Sequence, residues 1–309
     1  MDLSLRQLSV FVSVARRLSF TAAAGDLLVS QSSLSRTVAE IERTLGARVF
    51  HRDTRNVTLT DEGRELLEVA EHVLAVHRAG MRQLGRYVEG GAGAVTVAAL
   101  PSVAAVLLPP VIAVFRERWP DISVRIHDGL SRRMVTAVER GEADFAIAVA
   151  ADVPEWLESR PLAHDRFVGV VPPRHPFADR AELSWSELRD ERFIVMAADT
   201  SVRALTDSAF AQIGGPARGV VEASNVATVG GLVAAGLGVS ALPALVRVLV
   251  SFADVAHRPL VAPLVTRRLD VLRPTDRPVP AAARRFLDTL DDLRLGGFEL
   301  PPDVAWARP

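Results

Sequence analysis

The 309-residue chain contains no cysteine and no lysine. Without cysteine there are no disulfides, no thiolate zinc sites, no cysteine nucleophile and no thiol-based redox sensor. Without lysine, all 36 basic residues are arginine. That bias reflects a GC-rich genome more than a function, although arginine suits bidentate base and phosphate contacts better than lysine does. Long apolar runs are absent too. None reaches the length of a membrane span without an arginine, proline or acidic interruption. Met1 to Phe20 alternates apolar and charged residues, unlike a secretory signal, so a cytoplasmic protein with no membrane partner is expected.

Catalytic motifs are missing as well. There is no Gly-x-Ser-x-Gly elbow, no Walker loop and no His-Glu-x-x-His. Gly236-Leu237-Gly238 lacks the third glycine of a dinucleotide fingerprint. His72 and His77, five apart on one predicted helix, point to different faces and make a poor metal pair. The run from Glu139 to Asp144 reads as a helix end and turn rather than an acid/base pair. Trp156 and Trp185 read as packing residues. His127, beside Asp128, is open to two readings, polar lining or plain surface. No catalytic residue, metal or cofactor is expected.

What is present suits a multidomain globular protein: 49% hydrophobic and 24% charged residues over a length that calls for two or three domains. The formal net charge of -1 hides a local basic bias. From Arg43 to Thr58, Arg43, Arg48, Arg52 and Arg55 face Asp53 alone, with His51 beside them. A small basic patch on a near-neutral protein fits specific DNA binding; a solvated charged loop is the alternative.

The first sixty residues read as three short helices and a β-wing. Leu5, Leu8, Phe11, Ala15 and Leu18 recur at helical spacing. Thr21 is placed to cap a second helix, and Ser30 a third that ends at Gly46. The link near Val29 is so short that the second and third helices must cross steeply, which is helix-turn-helix geometry. On the third helix Leu34, Val38, Ile41 and Leu45 form the core face. Gln31, Ser32, Ser35, Arg36 and Ala39 form a slim polar face suited to a major groove, with glutamine for adenine and arginine for guanine edges. An ordinary solvated face is the competing reading.

Asp61 to Glu89 is predicted to be one long helix, capped by Thr60. Leu66, Ala70, Val73, His77 and Leu84 lie near a heptad seam that this chain has too little structure to bury, so a second copy is expected against it, in a homodimer or tetramer. Gly90, Gly91 and Gly93 form a hinge. Beyond Ala94 the pattern alternates strand and helix, which predicts parallel sheet flanked by helices. The tail after Gly296 holds three prolines and reads as loose.

The run Phe20-Thr21-Ala22-Ala23-Ala24, with Leu27, Val29-Ser30-Gln31, Leu34-Ser35-Arg36, Ile41-Glu42, Leu45-Gly46 and Leu59-Thr60-Asp61-Glu62-Gly63, resembles the N-terminal signature of LysR-type transcriptional regulators. Leu107-Leu108-Pro109, Phe115, Pro120, Gly141-Glu142-Ala143-Asp144, Pro176, Gly236-Leu237-Gly238 and Leu242-Pro243 extend a weaker likeness over the rest. The resemblance implies an all-α winged helix-turn-helix domain with a long linker helix, followed by an α/β two-lobed domain resembling periplasmic solute-binding proteins. Its implied boundaries are 1–60 for DNA binding, 61–92 for linker and dimerisation, 93–296 for effector binding and 297–309 for the tail. One lobe would span about 94–165 and 267–295, the other about 166–266.

The resemblance further implies that Gln31, Ser35 and Arg36 approach bases, that Arg55 reaches the minor groove, and that Arg52 lies near phosphate. Ser32 stands where the family often has proline. The implied partners are double-stranded promoter DNA carrying an interrupted pseudo-palindrome and a small-molecule effector between the lobes. Ser102, Ser131, Thr200 and Ser201 each follow a strand and open a helix. Their hydroxyls and the free N–H groups there suit a small anion such as a carboxylate, with ordinary helix capping as the alternative. A transport component would explain only the second half and would need an export signal. An enzyme would need a reactive constellation.

Overall fold

The computed structural model describes residues 2–52, 57–88, 93–149 and 153–308. The chain forms two compact units, Met1–Val88 with the short segment Glu139–Glu142, and Glu89–Val138 with Ala143–Pro309.

In the first unit, helix α1 (Leu5–Arg17) opens on a capping box: Ser4 Oγ accepts from Gln7 N, and Gln7 Oε1 accepts from Ser4 N. Helix α2 (Phe20–Asp26) is capped by Ser19, which accepts from Ala22 N; Thr21, the cap expected from sequence, lies inside the helix. Ser19 wins because its extended backbone lets Phe20, two residues ahead of the start that a Thr21 cap implies, start the helix and enter the core. Helix α3 (Gln31–Leu45) is capped by Ser30 and ends at Gly46, whose φ of 70° is left-handed.

Strands β1 (Phe50–Arg52) and β2 (Val57–Leu59) form an antiparallel wing stem. Helix α4 (Asp61–Val88) then starts at Thr60, whose Oγ1 accepts from Gly63 N at 2.9 Å. A Cβ at Gly63 would lie 2.1 Å from the Val49 carbonyl oxygen, so only glycine allows this turn to pack there. Phe11, Phe20 and Phe50 meet at ring separations of 5.4 and 5.7 Å. Leu34, Val38 and Ile41 join them, as do Leu66, Ala70 and Leu74 from α4.

The second unit begins with β3 (Ala94–Ala99), α5 (Pro101–Val106), α6 (Leu108–Arg118), β4 (Ser123–Asp128), α7 (Ser131–Glu139) and β5 (Phe145–Ala148). Pro109 and Pro110 sit in the first turn of α6, where their missing N–H costs nothing. Strand β6 (Leu157–Val171) is fifteen residues long. After it come β7 (Leu183–Ser184), α8 (Trp185–Asp190), β8 (Arg192–Met196), α9 (Ser201–Gln212), β9 (Arg218–Ala223), α10 (Val226–Ala234), β10 (Ser240–Pro243) and β11 (Ala256–Val261). Strand β12 (Thr266–Pro274), helix α11 (Ala281–Leu295) and strand β13 (Val304–Trp306) complete the unit.

Strand β3 pairs in parallel with β4 and β5, and β8 pairs in parallel with β9, as alternating elements should. The sheets are nevertheless mixed. Strands β10, β11, β12 and β13 all run antiparallel to β6. Strand β6 runs out of one apolar core into another, and β12 runs back beside it, so their pairing is antiparallel. One core gathers Val97, Phe115, Phe145, Leu162, Ala163, Leu269 and Phe286. The other gathers Phe167, Val168, Trp185, Phe193, Phe210, Val229 and Leu260.

The segment after Gly296, expected to be loose, is docked. Val304, Ala305 and Trp306 pair with Asp165, His164 and Ala163, and Ala307 is buried. Pro301 and Pro302 lie ahead of the paired residues, so they cost the ladder no donor.

Candidate DNA-contact helix and ligand cavity

Helix α3 presents Gln31, Ser32, Arg36 and Ala39 to solvent and half-exposes Ser35, while Leu34, Val38 and Ile41 are buried at 1% exposure or less. The outer face is thus narrow. Gln31 Oε1 accepts from Thr21 Oγ1 at 3.4 Å, and the Ser32 and Ser30 hydroxyls lie 3.1 Å apart. Arg36 has no ion pair with any described residue, so its five donors are free. Glu42 accepts from Val49 N at 3.1 Å and Thr60 Oγ1 donates to the Arg48 carbonyl, tying the wing stem to α3 and α4. Arg52 ends β1, but its side chain and all of Arg55 lie outside the described residues.

The five residues expected on one dimer seam separate. Leu66 and Ala70 face the core of their own unit, with Ala70 fully buried, because α1 already covers that side of α4. The seam expectation is corrected for those two. Val73 and Leu84 are exposed by 36 and 52%, His77 is exposed, and Val69, Val76 and Met81 share that exposure.

In the second unit a cavity of about 390 Å³ brings together all four residues proposed from sequence, Ser102, Ser131, Thr200 and Ser201. Its size is within the usual range for small-molecule sites. Thr200 is the cap of α9: its Oγ1 accepts from Arg203 N at 3.1 Å. Ser102, Ser131 and Ser201 do not cap; each stands inside the first turn of its helix. Capping therefore does not occupy their hydroxyls, and Ser131 Oγ is buried without a partner. Asn225, also in the cavity wall, caps α10 by accepting from Ala227 N at 2.8 Å. Helices α7, α9 and α10 all begin at the cavity, so their unpaired N–H groups make its potential positive.

One wall residue escaped the sequence reading. Arg267, on β12 and only 3% exposed, donates to Ser102 Oγ at 3.0 Å and pairs with Asp165 of β6, which is fully buried. The other Asp165 oxygen accepts from Leu245 N at 3.0 Å. Burial pushes the Asp165 carboxyl up from its ordinary value, and the Arg267 guanidinium and the Leu245 and Ala244 N–H groups pull it back. Arg267 Nε is buried with no partner. Arg133 and Asp128 complete the charged groups of the wall. His127 lies on the exposed edge strand β4 and is not in the wall. Among the described residues no cluster of metal-ligating side chains occurs, and no helix is long and apolar enough to cross a membrane.

A helix-turn-helix unit with a wing, joined to an α/β unit with a ligand-sized cavity, defines a ligand-responsive DNA-binding protein. Comparison with known families agrees. Residues 5–64 match the bacterial regulatory helix-turn-helix proteins of the lysR family, and residues 89–294 match the LysR substrate binding domain. The chain belongs to the LysR family of transcriptional regulators, proteins that bind DNA and carry an effector-binding domain rather than an active site.

A curated relative, the uncharacterised HTH-type transcriptional regulator YfeR of Shigella flexneri, is 32% identical over 292 residues, covering 94% of each chain. Full-length OxyR C199D from Pseudomonas aeruginosa superposes with a TM-score of 0.66 at 23% identity over 100% of each chain. The effector binding domain of QuiR in complex with shikimate superposes with a TM-score of 0.62 at 20% identity, covering 67% of this chain and 99% of that one. These two structures share the fold.

Proposed function

We propose that the protein is a sequence-specific regulator that reads its operator with α3 and is switched by a small organic anion held in the cavity of the second unit. In this reading Gln31, Ser35 and Arg36 contact bases, with Ser32 at the helix start. Arg52 and Arg55 of the wing contact phosphate and minor groove. Two copies joined through α4 would meet two half-sites of an interrupted pseudo-palindrome.

The observation that carries the effector reading is the convergence of three helix starts, three serine hydroxyls not used in capping and Arg267 on one cavity. A carboxylate placed there would meet backbone N–H donors, hydroxyls and a positive field, and the apolar part of the wall would cover the rest of the ligand. Asp128 offers an acceptor for a hydroxyl on the same ligand. The shikimate held by the QuiR domain, a hydroxylated carboxylate, is in keeping with this chemistry.

A thermal-shift screen of small organic acids against wild type, Ser102→Ala and Ser201→Ala tests the reading. The best acid should raise the wild-type melting temperature and do so much less in both variants. Arg267 is not a useful variant, because its loss would leave Asp165 buried and unpaired at a cost of about 3–5 kcal/mol. A best ligand that is cationic, or that stabilises the variants equally, would sink the anion reading and leave the regulator assignment intact.

A further inference from the structure

The segment 297–308 lies across the stretch of β6 that joins the two lobes. Leu162 and Ala163 belong to one apolar core and Phe167 to the other, so residues 162–166 are the crossing stretch. On one edge this stretch pairs with β12: Arg166 with Thr266, Asp165 with Arg267, His164 with Arg268 and Ala163 with Leu269. On its other edge it pairs with β13. Arg166 N donates to the Asp303 carbonyl at 2.9 Å and Ala307 N donates to the Leu162 carbonyl at 2.9 Å, so the pairing spans the crossing from end to end.

The segment is anchored in both lobes. Toward one, Arg247 Nη2 donates to Asp303 Oδ2 at 2.8 Å, with both side chains largely covered. Toward the other, Arg294 Nη2 donates to the Ala307 carbonyl at 2.5 Å and Ala307 is 3% exposed. Val304 packs against both cores. Trp306 Nε1 donates to the Phe298 carbonyl at 2.8 Å, closing the segment on itself.

We propose that residues 297–308 act as a strap that holds the two lobes in one arrangement by turning the two-stranded crossing into a three-stranded one. A two-stranded ribbon twists and bends readily, and hinge motion needs only a few residues to change φ and ψ. A third strand hydrogen-bonded along the crossing opposes both, because any rotation there must break ladder bonds or one of the two anchors. Asp165 faces Val304 in this ladder and holds Arg267 of the cavity wall. Strap and cavity therefore share one residue, and the strap sets how far the lobes move when the cavity is filled.

The absence of cysteine makes the test clean. Spin labels on Glu117→Cys of α6 and Gln212→Cys of α9, both exposed, report the distance between lobes in the full-length protein. Ala305→Pro disrupts the strap at an exposed position. The bonds at Arg166 and Ala307 alternate so that Ala305 faces His164 in a hydrogen-bonded pair, and proline has no N–H to give. A second variant ends the chain after Gly297. With the strap released, amide exchange over residues 162–166 should rise by about tenfold or more, and the inter-lobe distance distribution should broaden in both variants. Faster exchange with an unchanged distance distribution would overturn the proposal. So would a broad distribution already present in the strapped protein.

Discussion

Two arginines show how differently one side chain serves this protein. Arg36 is exposed and has no ion pair among the described residues, so a nucleic-acid base would gain its donors without breaking anything. Arg267 is buried, bound to Asp165 and Ser102, and holds the crossing strands to the cavity. Arg36→Ala should therefore leave stability unchanged. It should weaken operator binding by about 1–3 kcal/mol and relax preference at one base position. Fluorescence anisotropy against the operator and its single-base variants checks this; wild-type affinity at physiological salt would remove α3 from the recognition role. Arg36 was legible in the sequence because it stands opposite Leu34, Val38 and Ile41 at helical spacing. Arg267 was not. Its partners lie 102 and 165 residues away and meet it only through the register of β6 against β12. The serines were legible as helix openers, but that three of them do not cap depended on shifts of one or two residues in helix starts.

At the scale of elements, α4 shows where periodicity stops being informative. Its apolar residues run around more than one face, and sequence alone cannot say which face α1 takes. The fold gives Leu66, Ala70, Leu74 and Ala75 to burial within the chain and leaves Val69, Val73, Val76, Met81 and Leu84 outside. In the proposed reading that outer row receives a second copy, since apolar side chains at that spacing on a solvent face have no other cover among the described residues of this unit. Val73→Glu should leave the unit folded, because the site is already 36% exposed. A carboxylate buried against its symmetry mate would instead drive dissociation. Light scattering should show the monomer mass, and operator binding should fall as the avidity of two half-sites is lost. An unchanged mass would move the contact elsewhere. The same limit explains β13: three residues after a proline pair carry no local signal, and only the open edge of β6 makes them a strand.

At the scale of the whole molecule, the cores decide how the protein unfolds. The N-terminal unit has its own core, built on Phe11, Phe20 and Phe50. In the second unit β6 runs from the core around Phe145 into the core around Phe193, and β12 pairs with it from Leu157 to the crossing at Arg166, so neither lobe can lose its sheet without cutting into the other. Two cooperative transitions are therefore expected in calorimetry, not one and not three. They should respond to different variables. A contact between copies through α4 ties the first transition to protein concentration, and dilution should lower it. A ligand in the cavity should raise only the second. At a hundredfold excess over its dissociation constant the linkage amounts to about 2.7 kcal/mol, which for a unit of this size is a shift of roughly 5–10 °C. An organic acid that moved both transitions together would mean that it binds elsewhere, or that the two units unfold as one. A second transition that split on heating would mean that the crossing strands do not hold the lobes together.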